Sequence, residues 1–310
     1  VFEQSLTGIR YEVLRRDGEL IHREVLRDVA GETLAVTEKP IRYTVGSGAH
    51  GKSYLYESGS FLGQSPITWF DETKSWGMSP GFDRPFHKSF HRTVGTDCVF
   101  CHVGSIDREK QNPYKFEILE TTIGCERCHG PGELHVARYR NDPNATGIDR
   151  TIVNPTDLSR ELGEAICQQC HLQGIGKADV SGQDSWDYRP GLPLTDFRVD
   201  YQLGLGGQRM RIVGHVEQLH SSECYQQNET LTCVTCHDPH NPVPRESRID
   251  FHRQVCLNCH ANETCGKPLG ERERLADNSC YQCHMPKGPT NVTHAAFHHH
   301  RIGIHEQSES

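Results

Sequence analysis

The sequence predicts mostly short helices and loops wrapped around covalently held prosthetic groups, with a small antiparallel β region at the N-terminus. Three observations predict it. Of 310 residues, 14 are Cys and 20 are His, and Cys-x-x-Cys-His occurs six times, where random placement would give far fewer than one. Only 35% of the residues are apolar and the mean hydropathy is -0.65, which is lean for a protein-only core of this length. Every Cys lies beyond residue 92, so the chain changes character there.

The β region comes first. Residues 9–16 and 19–25 read as extended, and Asp17-Gly18 between them is a hairpin signal because Gly accepts positive φ. A second pair is expected at 41–45 and 53–56, separated by Gly46-Ser47-Gly48 and followed by Ser58-Gly59. From Pro80 onward His, Cys, Gly and Pro are dense and periodicity is brief. Short helices are expected at 158–171, capped by Asp157, and at 248–260, each running into a Cys-x-x-Cys-His. The motifs form a front pair, an isolated third and a C-terminal trio, too unevenly spaced for a solenoid. A long polar stretch, 172–222, separates the third from the fourth.

The spacing of the motif has a chemical reason. Two thiols one helical turn apart can form thioethers with the two vinyl groups of haem, and the adjacent His reaches the iron from the same side. Six haem c groups are therefore expected, on Cys98, Cys101 and His102; Cys125, Cys128 and His129; Cys167, Cys170 and His171; Cys233, Cys236 and His237; Cys256, Cys259 and His260; and Cys280, Cys283 and His284. A zinc site or a redox dithiol would use Cys-x-x-Cys without a His following every time. The implied fold class is a multihaem cytochrome c fold, with residues 1–92 as a β-rich N-terminal region and 93–310 as a hexahaem cytochrome domain. Six flat apolar macrocycles would supply the missing core.

The second axial ligand decides what each iron can do. A second His makes a six-coordinate, low-spin carrier, whereas an open face makes a possible catalytic centre. Fourteen His lie outside the motifs. The foremost distal candidates are His87, His91, His135, His240, His294 and His300, with His50, His215 and His220 second; His298 and His299 could stand in for His300. Cys224 and Cys265 remain once the motif thiols are assigned, and in an oxidising compartment a disulfide between them is expected. Arg127, Arg211 and Arg301 are candidates for tuning potentials near propionates.

Composition also excludes. A formal charge of -8, made more negative by propionates, disfavours nucleic acid and favours a basic redox partner. No 18-residue apolar run exists to span a membrane. The segment from Gly48 to Lys52 lacks the full phosphate-loop signature, which argues against nucleotide binding. The start at Val reads as processed or truncated, with an export signal expected upstream and a periplasmic or extracellular location, since haem is attached covalently outside the cytoplasm.

Residues 123–135, 231–240 and 280–286, the last followed by His294 and 297–302, together with 45–80, resemble bacterial multihaem cytochromes with a cytochrome c-552/c-554 type domain, often fused to tetratricopeptide repeats. The resemblance implies that His135, after Gly130-Pro131-Gly132, is a distal ligand to a haem other than its neighbour, and that His294 and His300 serve similarly. It also implies close parallel and perpendicular haem pairs, as in relatives that feed or form nitrogen-cycle oxidoreductases. These 310 residues contain no repeat domain and lack the further upstream motif common in such relatives.

Electron transfer is the leading functional expectation, because six haems on so short a chain are hard to insulate from one another. A reductase or oxidase of small nitrogen or sulfur species at one open haem is the enzymatic alternative. A third reading is a subunit of a homo-oligomer or polymeric cytochrome filament.

Overall fold

The computed structural model describes residues 1–46, 48, 50–172, 174–201, 213–261, 264–290, 292 and 296–305. The chain divides into two compact units, one built on Val1–Gly124 and the other on the chain from Cys125 onward. The first Cys-x-x-Cys-His therefore packs with the β-rich region and the other five form the second unit.

The first unit carries more sheet than expected. Strands β1 (Phe2–Glu3), β2 (Arg10–Arg16), β3 (Glu19–Arg27) and β4 (Thr33–Pro40) form one antiparallel sheet in sequence order. A second sheet follows, with β5 (Tyr43–Val45), β6 (Gly51–Ser58), β8 (Ile67–Phe70) and β9 (Ser75–Met78) in line and β7 (Phe61–Gln64) paired to β6. The β2–β3 hairpin turns at Asp17 and Gly18, whose φ values of 53° and 85° are both in the left-handed region, as a two-residue turn matched to strand twist requires. The second expected pair is β5 with β6, Tyr43 facing Leu55. Tyr11, Ile67, Met78 and Phe82 form the buried core, with Phe2, Ile9, Val13 and Trp76 against it. After α1 (Thr96–Val99), a hairpin of β10 (Ser105–Arg108) and β11 (Phe116–Glu120) ends the unit.

His22 on β3 is fully buried, its Nδ1 2.8 Å from Ser65 Oγ and its ring between Tyr54 and Trp76. Burial pushes the imidazole down to about 4. The unfolded chain thus binds this proton more readily than the folded one, and the stabilisation present above the ordinary His pKa is lost as pH falls through the window from 6.5 to about 4. Lowering the pH from 7 to 4 is expected to remove roughly 3 kcal/mol more stability from the wild type than from His22→Gln. Equal losses in thermal unfolding of the two holoproteins would contradict this.

The second unit is built from short helices: α2 (Glu126–His129), α3 (Glu133–Asn141), α4 (Arg160–His171), α5 (His215–His220), α6 (Glu223–Gln226), α7 (Arg248–Leu257), α8 (Leu269–Ala276) and α9 (Cys280–His284). Two small antiparallel pairs accompany them, β12 (Gly176–Asp179) with β13 (Arg198–Tyr201) and β14 (Lys287–Pro289) with β15 (Ala296–His298). Helix α4 begins two residues later than expected, because Ser159 accepts from the Leu162 amide and is the cap, while Asp157 ends a preceding 3-10 turn. The buried cluster of this unit is small: Ala165, Tyr188, Leu194 and Phe197. Three of those four come from the stretch that reads as polar linker in the sequence. No described helix is long and apolar enough to cross a membrane.

Candidate haem-binding sites

Each motif of the second unit folds as one helical turn. In the second, fourth and fifth, the amide of the second Cys donates to the carbonyl of the first, at 3.1 Å for Cys128, 3.3 Å for Cys236 and 3.2 Å for Cys259. The His amide donates to that same carbonyl, at 2.9 Å for His129, 3.1 Å for His237 and 2.9 Å for His260. The third motif lies wholly within α4 and the sixth is α9 itself. Positions i, i+3 and i+4 of a helix share a face, so both thiols and the imidazole address one ligand.

The motifs are also ordered in space. The Cys233 thiol donates to the Cys167 sulfur, which raises the former's pKa and lowers the latter's. Cys256 and Cys280 are hydrogen-bonded to each other. Cys128 interacts electrostatically with Cys167, and Cys236 with Cys256 and Cys259. The second to sixth motifs thus adjoin one another in sequence order.

Hydrogen bonds sort the histidines by tautomer. A ring nitrogen facing an acceptor-only atom must carry the proton, which leaves the other nitrogen with a free lone pair. Nδ1 donates to a backbone carbonyl in His129 (Val153, 2.8 Å), His284 (Gly303, 3.0 Å), His298 (Met285, 2.7 Å) and His300 (His298, 3.0 Å). In His135 it donates to the Asp149 carboxylate at 2.8 Å. Hydrogen bonds from the Thr151 hydroxyl and amide, then from His135, with Arg138 nearby, hold the Asp149 carboxyl down to about 2. All five histidines therefore present Nε2 as an electron-pair donor.

Other candidates are placed differently. His220 Nε2 is 3.0 Å from Glu164 Oε2, which also accepts from Tyr225, so the nitrogen is committed to a carboxylate. His87 Nδ1 accepts from the Ser89 amide at 3.0 Å, which puts its proton on Nε2, 3.4 Å from the Tyr11 hydroxyl. His91 ends a 3-10 turn, Ser89–His91, and His50 precedes β6, its carbonyl accepting from Asp71. His294 and Arg211 lie outside the described residues. Cys224 and Cys265, expected to pair, are not joined to each other in this structure. Cys224 on α6 lies in the electrostatic surroundings of Cys236 and Cys259.

Some imidazole rings are spaced as two ligands of one iron would be. A metal–imidazole bond is about 2 Å long, so two rings on opposite sides of one iron have centres roughly 6 Å apart. His129 and His240 are 5.9 Å apart, His237 and His300 6.2 Å, and His237 and His252 6.0 Å. His171 faces His215 at 5.1 Å, with their Nδ1 atoms 3.4 Å apart. Burial first, then neighbouring histidines, push His215 down to about 4 and His300 to about 3, so both are neutral as ligation requires. His252 was not among the sequence candidates; its place four residues before Cys256, on the same face of α7, was the available signal.

The surroundings fit a large apolar group. An open cleft of about 1440 Å³ is lined by Cys125, His129, Val136, His135 and Ile148 among others. It exceeds the roughly 300–1,000 Å³ of ordinary small-molecule sites. Ile148 and Val136 are 74% and 42% exposed there, an arrangement that costs free energy unless something apolar covers them. Tyr188 is buried with its hydroxyl unpaired, in the electrostatic surroundings of Cys128 and Cys167. A haem propionate or edge beside those thiols would satisfy it.

No protein-family model matches the chain, and no curated protein matches it. Among solved structures it is similar to the crystal structure of the outer cell wall cytochrome OcwA, with a TM-score of 0.51 at 15% identity over 84% of this chain and 68% of that one. At that identity the likeness shows the fold alone, one of mixed helices and sheets.

Proposed function

We propose that the chain carries electrons through six covalently bound haem c groups, most of them ligated by two histidines. The observation that carries this reading is the ordered adjacency of the second to sixth motifs, joined through Cys128 with Cys167, Cys167 with Cys233, Cys236 with Cys256 and Cys256 with Cys280. Haem c supplies a one-electron iron couple when bound. The chain supplies the anchoring thiols, the proximal imidazoles His102, His129, His171, His237, His260 and His284, and distal imidazoles held in the ligating tautomer. His240 is paired with His129 on the ring spacing, and His300 with His237, because His252 stands at a similar spacing but His300 also holds its Nδ1 proton on a carbonyl and leaves Nε2 free. His215, whose ring packs against those of His171 and His300, is a further candidate ligand. His135 and His298 present free Nε2 atoms for further irons.

The location that suits this chemistry is periplasmic or extracellular, and the fold shared with an outer cell wall cytochrome agrees with it. The formal charge of -8 favours a basic redox partner. The ferric protein's electronic and paramagnetic resonance spectra test the carrier role. At least five of six irons are expected to be low-spin; two or more high-spin irons that bind small ligands at rest would move the assignment to an enzyme.

A further inference from the structure

His135 differs from the other ligand-ready histidines in the charge of its partner. Among the described residues, His129, His284, His298 and His300 give their Nδ1 proton to backbone carbonyls, which are neutral dipoles. His135 gives its proton to a carboxylate. His240 has an acid nearby, but its Nδ1 is 3.9 Å from Asp238 Oδ1, beyond hydrogen-bond range.

The arrangement is built rather than incidental. Gly130, at φ 75°, reverses the chain after the second motif, and α3 starts at Glu133, which puts His135 in the first turn and Arg138 one turn further on. The chain returns to bring Asp149 under both. One oxygen of Asp149 accepts from His135; the other accepts from the Thr151 amide at 2.8 Å and hydroxyl at 2.5 Å and lies 3.4 Å from Arg138 Nη1. The carboxylate is only 11% exposed. With its second oxygen fixed by three donors, it cannot turn away from the imidazole.

We propose that Asp149 is a positioning residue that fixes the orientation of His135 and lowers the potential of the iron that His135 ligates. An anionic acceptor on Nδ1 increases the basicity of Nε2, and a more basic axial ligand favours ferric over ferrous iron. The effect falls on one haem, because among the described histidines that present Nε2 no other has such a partner, the carboxylate beside His220 being bonded to its Nε2. That haem is the one the chain biases most strongly toward giving its electron away, which sets a direction on transfer through the second unit. The inference rests on the hexahaem reading and adds a named determinant of potential to it.

The experiment is a potentiometric titration of the holoprotein, followed by absorbance and paramagnetic resonance, for the wild type, Asp149→Asn, Asp149→Glu and His135→Ala. Asn keeps an acceptor oxygen but removes the charge. In Asp149→Asn one midpoint of six is expected to rise by the equivalent of a tenfold change in the ferric-to-ferrous ratio, 59 mV for one electron, with six haems retained and every low-spin signal intact. Asp149→Glu is expected to return that midpoint toward the wild-type value, which separates charge from general disruption. His135→Ala is expected to turn one iron high-spin. Six unchanged midpoints in Asp149→Asn, with a new high-spin iron in His135→Ala, would overturn the proposal while leaving His135 a ligand. Six low-spin irons in His135→Ala would overturn it by removing its target, and fewer than six haems in the wild type would strike at the hexahaem reading instead.

Discussion

His300→Ala is expected to convert one of six low-spin irons to high-spin while all six haems stay attached. Attachment depends on the motif thiols, which this substitution does not touch. On the proposed pairing the distal face depends on His300, whose Nδ1 donates to the His298 carbonyl at 3.0 Å and whose ring centre stands 6.2 Å from that of His237. Its burial among His215, His237 and His171 keeps it neutral, so its Nε2 lone pair is ready at neutral pH. His252→Ala is the comparison, because that ring is also 6.0 Å from His237; a spin change is expected in His300→Ala and not in His252→Ala. His220→Ala is expected to leave every iron low-spin, since Glu164 holds its Nε2, the nitrogen that His135, His298 and His300 leave free. A fully low-spin His300→Ala protein would show that His237 has another partner.

Replacing Cys233 and Cys236 together by Ser is expected to remove the fourth haem and divide the chain of centres. Intact mass should fall by one haem. After rapid mixing with a reductant, internal equilibration should split into two phases, because the second and third motifs then lose their link to the fifth and sixth through Cys167 and Cys256. The control is Cys280→Ser with Cys283→Ser, which also removes one haem but at the end of the series. That protein should keep a single phase among its remaining second-unit haems. Identical kinetics in the two double variants would mean that the spatial order of motifs is not the electron path.

What could be read in the sequence was whatever local chemistry decides. Asp17-Gly18 specifies its own turn, and the helix carrying Cys167 and Cys170 announces its end by the motif. The extent of sheet was less legible: β7, β8 and β9 are short, and Gly63 and Gly77 within them mask the alternation that marks a strand. Tyr188, Leu194 and Phe197 are scattered through a polar segment, so their shared burial could not be inferred from spacing. Pairing Cys224 with Cys265 by elimination takes no account of where the fold puts them, and Cys224 sits near a motif thiol, Cys259. Of the ligand candidates, position alone ranked His87 with His135 and put His220 in the second group; the amide proton of Ser89, the carboxylate of Glu164 and that of Asp149 are the partners that distinguish them. Each of those partners lies on a hydrogen bond that composition does not reveal.

The claim beneath all of this is that six motifs hold six haems by thioether bonds. Intact mass spectrometry of the unfolded holoprotein tests it most directly, because thioethers survive loss of the fold whereas axial coordination does not. The account predicts a mass equal to the polypeptide plus six haem additions. A mass with five or fewer additions would contradict it.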